Sequence, residues 1–297
     1  MSAYRFCRTD DIGLLVDALN RCWFPYFPDE PPMTPAAFKR SIRDLQVWCS
    51  SCMVAFSGSD PIGVLIGAKR PSATLVHKIA VHPDHRRQGH GRHLLDSLGS
   101  KLAILGPARI VAEVPEALAA AHRLFNAAGY SEETRLTDYG CTYPDPSTDS
   151  ESSRAVSRDQ RAPQSGASQW VIPITVDDLE ANGLLDADDR QTCWERSVET
   201  LLARKDEIAG LAIATEERIE AYLLYIKEAG TILSLRSLVE DGGARLARLL
   251  SGLREAGPGA LKFPKVHPAE LPVEILETLG FRSSGAHLLY AASARPE

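Results

Sequence analysis

The pattern of apolar and polar positions predicts alternating helices and strands in the first half of the chain. After a short strand at residues 4–8, helices are predicted over 10–23 and 34–46, the second with Thr34 as N-cap and Pro35 in its first turn. Three β-rich runs at 53–57, 62–69 and 75–81 are separated by turn residues, as in an antiparallel meander. A helix over 91–105, a strand over 109–114, a helix over 117–128 closed by Gly129 and a strand over 134–141 follow.

The second half repeats this order after a polar segment. Residues 144–168 contain no aromatic residue and only one large aliphatic, Val156, so they predict a flexible linker. Beyond it come helices within 177–202, strands at 208–215, 219–227 and 231–238, a helix over 243–255, a strand over 260–266 and a helix ending near Gly280. We therefore expect an α+β protein with domains at 1–143 and 169–297, each a mostly antiparallel sheet flanked by helices. Residues 170–174 are expected to join one of these sheets.

Composition narrows the classes of function. The 297 residues are 44% hydrophobic and 24% charged, which is ordinary globular usage. A net charge of −6 argues against a protein that mainly holds nucleic acid, so any anion site must be local. No apolar run is long enough to span a bilayer, and the first eleven residues are unlike a secretory signal. The expectation is a cytoplasmic protein without a membrane or nucleic-acid partner.

Cysteine and histidine spacing does not predict a metal site. The six cysteines are scattered, and the single pair Cys49-x-x-Cys52 lacks the second pair that a zinc site needs. They are interpreted as reduced thiols. Four histidines lie within residues 82–93, but no carboxylate or thiolate joins His90 and His93 at ligand spacing. We interpret them as solvated positions of an anion-binding loop.

The informative stretch is an apolar strand, a basic glycine-rich loop and an amphipathic helix between residues 75 and 105. Glycines let the backbone curl so that successive N–H groups point inward, and the helix adds its unpaired N–H groups and the positive end of its dipole. Arg86, Arg87 and Arg92 can add charge-assisted hydrogen bonds to phosphate oxygens. The loop is neither a P-loop nor a dinucleotide fingerprint, because the Gly-Lys-Ser/Thr and the third glycine are missing. A diphosphate site is predicted, with a solvated basic turn as the alternative.

This arrangement resembles motif A of the GCN5-related N-acetyltransferase (GNAT) superfamily, Arg/Gln-x-x-Gly-x-Gly/Ala, here Arg86-x-x-Gly89-x-Gly91. The resemblance implies acetyl-CoA as co-substrate. It also implies that the strand before the loop splays from its neighbour, offers main-chain groups to the pantetheine arm and is followed by the pyrophosphate loop. The implied cofactor-binding residues are Ile79, Ala80, Val81, Arg86, Arg87, Gln88, Gly89, His90, Gly91 and Arg92.

The catalytic residues match the family pattern less closely. Leu118 stands where the family often has an Asn, and Phe125 stands where a Tyr often protonates the departing thiolate. Tyr130, His122 and His77 are candidate replacements for that proton donor, and Tyr130 is the one predicted here. Glu113 matches a Glu that serves some members as a base through water, with a structural hydrogen bond as the alternative.

The second half resembles the degenerate copy of tandem acetyltransferases. The stretch from Ile219 to Phe281 is six residues shorter than that from Ile62 to Tyr130, spanning 62 against 68 positions. The deletion falls at the loop, where Glu240, Asp241 and two glycines replace the basic sequence. Acidic side chains there would repel phosphate. We expect a packing or substrate-shaping role and a pseudo-dimer within one chain.

The sequence thus predicts an N-acetyltransferase that moves an acetyl group from acetyl-CoA to a primary amine of a small molecule or peptide by direct attack. One alternative is an acetyl-CoA-binding regulatory module with weak or no catalysis, which Leu118 and Phe125 favour. Another is a structural dimerisation protein, which leaves the basic loop unexplained. The sequence does not identify the amine.

Overall fold

The computed structural model describes residues 2–142, 169–185, 192–255 and 259–294. These residues form two compact units. Unit 1 takes its residues from Met1–Leu136, Cys193–Glu195 and Ala286–Glu297, and unit 2 from Thr137–Thr192 and Arg196–Gly285. Each unit therefore contains chain segments that are distant in sequence. The predicted linker at 144–168 lies outside the described residues.

Unit 1 is a sheet with helices on both faces. Its elements are β1 (Ser2–Phe6), α1 (Ile12–Cys22), α2 (Pro35–Leu45), β2 (Met53–Ser57), β3 (Asp60–Lys69), β4 (Thr74–Val81), α3 (His90–Leu105), β5 (Arg109–Pro115), α4 (Ala119–Ala127) and the start of β6 (Ser131–Thr142). The strand order is β1-β2-β3-β4-β5, followed by the end of the last strand of the chain, β12 (Arg282–Ser293). Only the β4–β5 pairing is parallel. The mixed, mostly antiparallel fold predicted from the sequence is confirmed.

Two apolar clusters hold these layers together. One packs α1 and α2 against one sheet face. The other packs α3 and α4 against the opposite face, where Leu94, Leu95, Leu98 and Leu102 are buried at helical spacing. Full burial of each such leucine contributes about 1.5–3 kcal/mol. The start of α2 follows its sequence signal, since the Thr34 hydroxyl accepts a hydrogen bond from the Ala37 N–H at 3.1 Å.

Unit 2 repeats the order of elements. It contains β7 (Trp170–Ile174), α5 (Val176–Ala181), α6 (Val198–Ala203), β8 (Ile208–Ala214), β9 (Ile219–Ile226), β10 (Thr231–Ser237), α7 (Ala244–Glu255), β11 (Ala260–Val266) and α8 (Val273–Thr278). Its strand order is β6-β11-β10-β9-β8-β7, with β6 represented by its C-terminal half. β7 pairs antiparallel with β8, so the segment predicted to join a sheet joins that of unit 2. In the described residues, no helix is both long and apolar enough to cross a bilayer.

Candidate functional site

The parallel strands β4 and β5 separate almost as soon as they meet. They pair only at Thr74↔Ile110 and Leu75↔Val111, and within the described residues no further pair joins them. β4 stays paired with β3 on its other edge as far as Gly63↔Val81. The edge of β4 that faces β5 is therefore open from Val76 to Val81. This is the splayed strand that the resemblance implied, and it contains the predicted residues Ile79, Ala80 and Val81.

A β-bulge lies in β4 at the start of this opening. Ile66 of β3 pairs with Lys78 and Gly67 pairs with Val76, so His77 is the extra residue. A bulge bends its strand and increases the local twist. It therefore gives a physical reason why β4 turns away from β5 at this position.

The loop after β4 has the backbone of an anion cradle. A 3₁₀ turn over Pro83–His85 leads into Arg87 at φ 64° and Gly89 at φ 85°, and α3 begins at His90. Glycine adopts positive φ at little cost, but for arginine this conformation is strained. Within the described chain, the backbone N–H groups of residues 87–92 donate to no protein acceptor. Six consecutive free donors at a helix start form a site for phosphate oxygens.

The side chains of the loop divide into an exposed and a buried set. Arg86, Arg87, Gln88 and Arg92 are exposed. His90 is buried, its Nδ1 lies 2.6 Å from the Tyr4 hydroxyl, and its Nε2 has no partner among the described residues. Burial lowers the pKa of His90, with smaller contributions from His85 and His93. The loop thus combines solvent-facing positive charge with a neutral buried ring beneath the backbone.

Gly91 lies in close contact with α4. A Cβ at this position would lie 3.1 and 3.3 Å from the two terminal carbons of Leu124 and 3.7 Å from Cγ2 of Val81. The two glycines of the motif therefore have different structural roles. Gly89 supplies a backbone conformation, and Gly91 allows α3 to approach α4 and β4.

Glu113 points away from the α3 and α4 layer. One of its carboxylate oxygens accepts a hydrogen bond from the backbone N–H of Trp194 at 2.6 Å. The Trp194 indole donates to the carbonyl oxygen of Leu45 at 2.8 Å and lies 3.8 Å below the Arg70 guanidinium. Trp194 belongs to the apolar cluster of α1 and α2. Glu113 is thus fixed on the α1 and α2 face of the sheet by a segment 81 residues away, and nothing in the sequence pattern indicated this contact.

Tyr130 lies in the core of the α3 and α4 layer. Its ring meets Phe125 edge-on with 5.1 Å between centroids. Its hydroxyl is buried without a hydrogen-bond partner among the described residues, and burial raises its pKa strongly. The structure therefore does not bring Tyr130 and Glu113 to the same face. The role predicted for each remains a prediction.

The connection between α1 and α2 adds residues that the sequence reasoning did not select. The Tyr26 hydroxyl donates to the carbonyl oxygen of Val81 at 2.7 Å, and the Arg86 guanidinium lies 5.7 Å from the Tyr26 ring. The Lys78 ammonium sits 3.9 Å from the Trp23 ring. The signal available in the sequence was the dense run of aromatic and proline residues at 23–28. This connection covers the C-terminal end of β4 on the face that carries Glu113.

Unit 2 keeps the split strands but not the free loop. β10 and β11 pair in parallel only at Thr231↔Lys262, and Leu233 is the extra residue of a bulge. At the start of α7, the Asp241 carboxylate accepts hydrogen bonds from the N–H groups of Gly243 at 3.0 Å and Arg245 at 2.9 Å. Burial by itself would raise the pKa of Asp241, but the hydrogen bonds from Arg245 and Gly243 lower it overall. An internal carboxylate thus uses the donors that an external anion would need.

The remaining candidate chemistry is limited. All six cysteines are free and buried. Burial raises the pKa of Cys7 to about 12 and that of Cys22 to about 11, which makes both poor nucleophiles at neutral pH. Across the described ranges, no group of three or more His, Cys, Asp or Glu side chains has a metal-binding arrangement.

Part of the chain matches a known protein family. Residues 14–130 match the family model described as the acetyltransferase (GNAT) family. Leu14 to Tyr130 includes the opened strand, the loop, Glu113 and Phe125. No curated protein sequence matches the chain significantly.

Solved structures extend the likeness to both units. A putative acetyltransferase from Pyrococcus horikoshii aligns with a TM-score of 0.60 at 15% identity, over 100% of this chain and 90% of that one. A tandem GNAT protein from the clavulanic acid biosynthesis pathway aligns with a TM-score of 0.61 at 17% identity, over 100% of both chains. A GCN5-related N-acetyltransferase from Sphaerobacter thermophilus aligns with a TM-score of 0.64 at 15% identity, over 99% of this chain and 96% of that one. Such low identities show the fold, which is that of two GNAT-like domains.

Proposed function

We propose that unit 1 is an acetyl-CoA-dependent N-acetyltransferase that acts by direct transfer to a primary amine of a small molecule or peptide. The observation that carries this proposal is the pairing of an opened strand edge, residues 76–81, with a loop whose N–H groups at 87–92 are free. A ligand with a diphosphate and a long amide-bearing arm needs both features side by side, the loop for its diphosphate and the strand edge for its arm. The match of residues 14–130 to the GNAT family supports the same assignment.

The residues of the cleft between β4 and β5, together with the loop that follows β4, have distinct roles in this proposal. The loop binds the pyrophosphate through its N–H groups, and Arg86, Arg87 and Arg92 add charge-assisted hydrogen bonds from solvent-facing positions. The open edge at Ile79, Ala80 and Val81 pairs with the amides of the pantetheine arm as a strand would. Gln88, Gly89, His90 and Gly91 shape the turn between these two parts. A main-chain N–H of the open edge polarises the thioester carbonyl.

The amine approaches from the α1 and α2 face in this mechanism. Glu113 lies on that face, with one carboxylate oxygen held by the Trp194 N–H at 2.6 Å. Glu113 accepts the amine proton through a water molecule. Because the Trp194 contact fixes the carboxylate, Glu113 acts as an oriented base. The proton donor on the leaving-group side is a phenol, for which the sequence predicted Tyr130.

The proposal is tested first by binding. Arg86→Ala and Arg87→Ala should each weaken acetyl-CoA binding about 10- to 100-fold, since a hydrogen bond to a charged group contributes about 1.5–3 kcal/mol. The matched control is Arg40→Ala, which removes an exposed arginine from α2 and should leave the dissociation constant unchanged. Isothermal calorimetry measures all three. Unchanged affinity in both loop variants would refute the loop assignment.

Turnover then separates an enzyme from a binding module. Phe125 lacks the hydroxyl of the family pattern, and this favours the second candidate, an acetyl-CoA-binding regulatory protein. A thiol-release assay with spermidine, kanamycin, lysine and a lysine-containing peptide distinguishes the two. Acetyl-CoA binding with turnover supports the enzyme. Binding without turnover on any of these amines supports the regulatory module.

Unit 2 is proposed to be the degenerate copy. Asp241 already accepts the N–H groups at the start of α7, and the loop before it is acidic. A diphosphate would have to displace this carboxylate and its ion pair with Arg245, whose nitrogen lies 2.9 Å away. Calorimetry should therefore give one molecule of acetyl-CoA per chain. A second equivalent would refute this part of the proposal.

A further inference from the structure

We propose that Tyr290 donates the proton to the departing sulfur and that His122 positions and reprotonates it. This inference rests on the proposed function of unit 1. Tyr290 lies in the last strand of the chain, 165 positions after Phe125, and belongs to unit 1. It supplies a phenol where Phe125 has none.

Tyr290 lies beside the closed end of the cleft, which is the end where β4 and β5 are still paired. It pairs across β12 and β5 with Ala112, the residue that follows the last parallel pair, Leu75↔Val111. If the diphosphate binds at residues 87–92, beyond the open end of β4, the arm runs back along β4 toward this closed end. The thioester is then brought to the level of Ala112.

Tyr290 also lies on the correct face of the sheet. Its ring stacks on Phe125 at 5.8 Å between centroids with 19° between planes. Both belong to the apolar cluster of α3 and α4, and α3 is the helix that begins with the loop. The base Glu113 lies on the opposite face, with the amine. The proposed proton acceptor and proton donor therefore lie on opposite faces of the sheet but at adjacent levels of β5, since Glu113 follows Ala112, the partner of Tyr290.

The hydroxyl of Tyr290 is part of a short hydrogen-bonded chain. It lies 3.1 Å from Nδ1 of His122, and Nε2 of His122 lies 3.1 Å from the carbonyl oxygen of Glu116. A carbonyl oxygen only accepts, so Nε2 carries a hydrogen and Nδ1 of the neutral ring accepts from Tyr290. When the ring is protonated, Nδ1 donates to the phenol oxygen instead. The Tyr290 O–H is then free to point at another acceptor.

The proton transfer to sulfur balances with these two residues and solvent. As the C–S bond breaks, its electron pair goes to sulfur. Sulfur takes the hydroxyl proton of Tyr290, and the phenol oxygen takes the Nδ1 proton of protonated His122. The half-buried His122 ring regains a proton from solvent. Tyr130 has no comparable chain, because its buried hydroxyl has no hydrogen-bond partner among the described residues.

The test compares Tyr→Phe variants by kinetics. Tyr290→Phe should lower kcat about 10²- to 10⁴-fold, the usual contribution of a general acid. The dissociation constant for acetyl-CoA should change by no more than about twofold. Tyr222→Phe is the matched control, since it removes an equally buried hydroxyl, one that donates to the Leu184 carbonyl oxygen in unit 2. Tyr130→Phe is the rival variant.

A second readout does not depend on turnover. Free CoA is bound, and the ionisation of its thiol is followed by thiolate ultraviolet absorbance. If Tyr290 hydrogen-bonds to the sulfur, the pKa of the bound thiol should be about one to two pH units higher in Tyr290→Phe than in the unmodified protein. His122→Gln, at a half-buried position, should lower kcat and leave acetyl-CoA binding intact.

Each outcome has a distinct meaning. Loss of kcat in Tyr290→Phe with the thiol effect supports the inference. Full kcat in Tyr290→Phe, or an equal loss in Tyr222→Phe, overturns it, and a selective loss in Tyr130→Phe assigns the role to Tyr130. An unmodified protein that binds acetyl-CoA but acetylates none of the amines refutes the enzymatic function instead. The thiol titration then still decides whether Tyr290 contacts the sulfur.

Discussion

Replacing Gly89 by alanine isolates the backbone contribution of the loop. Gly89 has φ 85°, and a Cβ built there has no atom within 4 Å. The substitution therefore causes no steric clash with a neighbouring residue, and its whole effect comes from the left-handed conformation. An L-residue in that conformation costs roughly 1–2 kcal/mol.

This cost must appear in one of two measurements. If the loop keeps its conformation in Gly89→Ala, the free energy of unfolding falls by about 1–2 kcal/mol and acetyl-CoA affinity is unchanged. If the loop relaxes, stability is retained but the N–H groups lose their alignment. Binding must then restore the strained form, and affinity falls by up to about 5- to 30-fold. The two losses should sum to the same total.

Gly99 provides the matched control in the same helix. It lies inside α3, and a Cβ there also has open space. Gly99→Ala should raise stability by about 0.8–1 kcal/mol, because alanine is the better helix former. Urea denaturation and calorimetry of both variants give the two quantities. If Gly89→Ala stabilises the protein as Gly99→Ala does, with unchanged affinity, the reasoning is refuted.

Three further predictions concern individual side chains. Asp241→Ala removes the carboxylate at the start of α7 and should lower the free energy of unfolding by about 0.5–2 kcal/mol in urea denaturation, while unchanged stability would show that the cap contributes nothing. Because burial lowers the pKa of His90 from its usual 6.5, the folded state binds this proton less readily than the unfolded chain. Stability should therefore fall as pH drops through 6.5, and His90→Gln should reduce that fall in urea midpoints measured against pH; an unaltered profile would contradict this. Tyr130→Phe removes a buried hydroxyl without a partner and should raise Tm, with about 1–3 kcal/mol gained in stability; a lower Tm would mean that the hydroxyl is satisfied.

Local sequence signals predicted the parts of the site that depend on neighbouring residues. Thr34 and Pro35 marked the start of α2, and the glycines marked the loop before α3. These signals work because a cap or a positive φ is decided within one or two turns of chain. The acidic run at residues 240–241 likewise indicated that the second loop differs. The self-capping by Asp241 required knowing where its carboxylate points.

The sequence by itself determined the mixed α and β class, the duplicated order of elements and the strand-loop-helix that can hold a diphosphate, since each depends on periodicity or on residues adjacent in the chain. Only the tertiary structure decided which groups surround Glu113 and Phe125. The Trp194 N–H reaches Glu113 across 81 positions, and the Tyr290 hydroxyl reaches His122 across 168. Long-range strand pairing brings these groups together, and no local propensity records which distant strand will pair with β5.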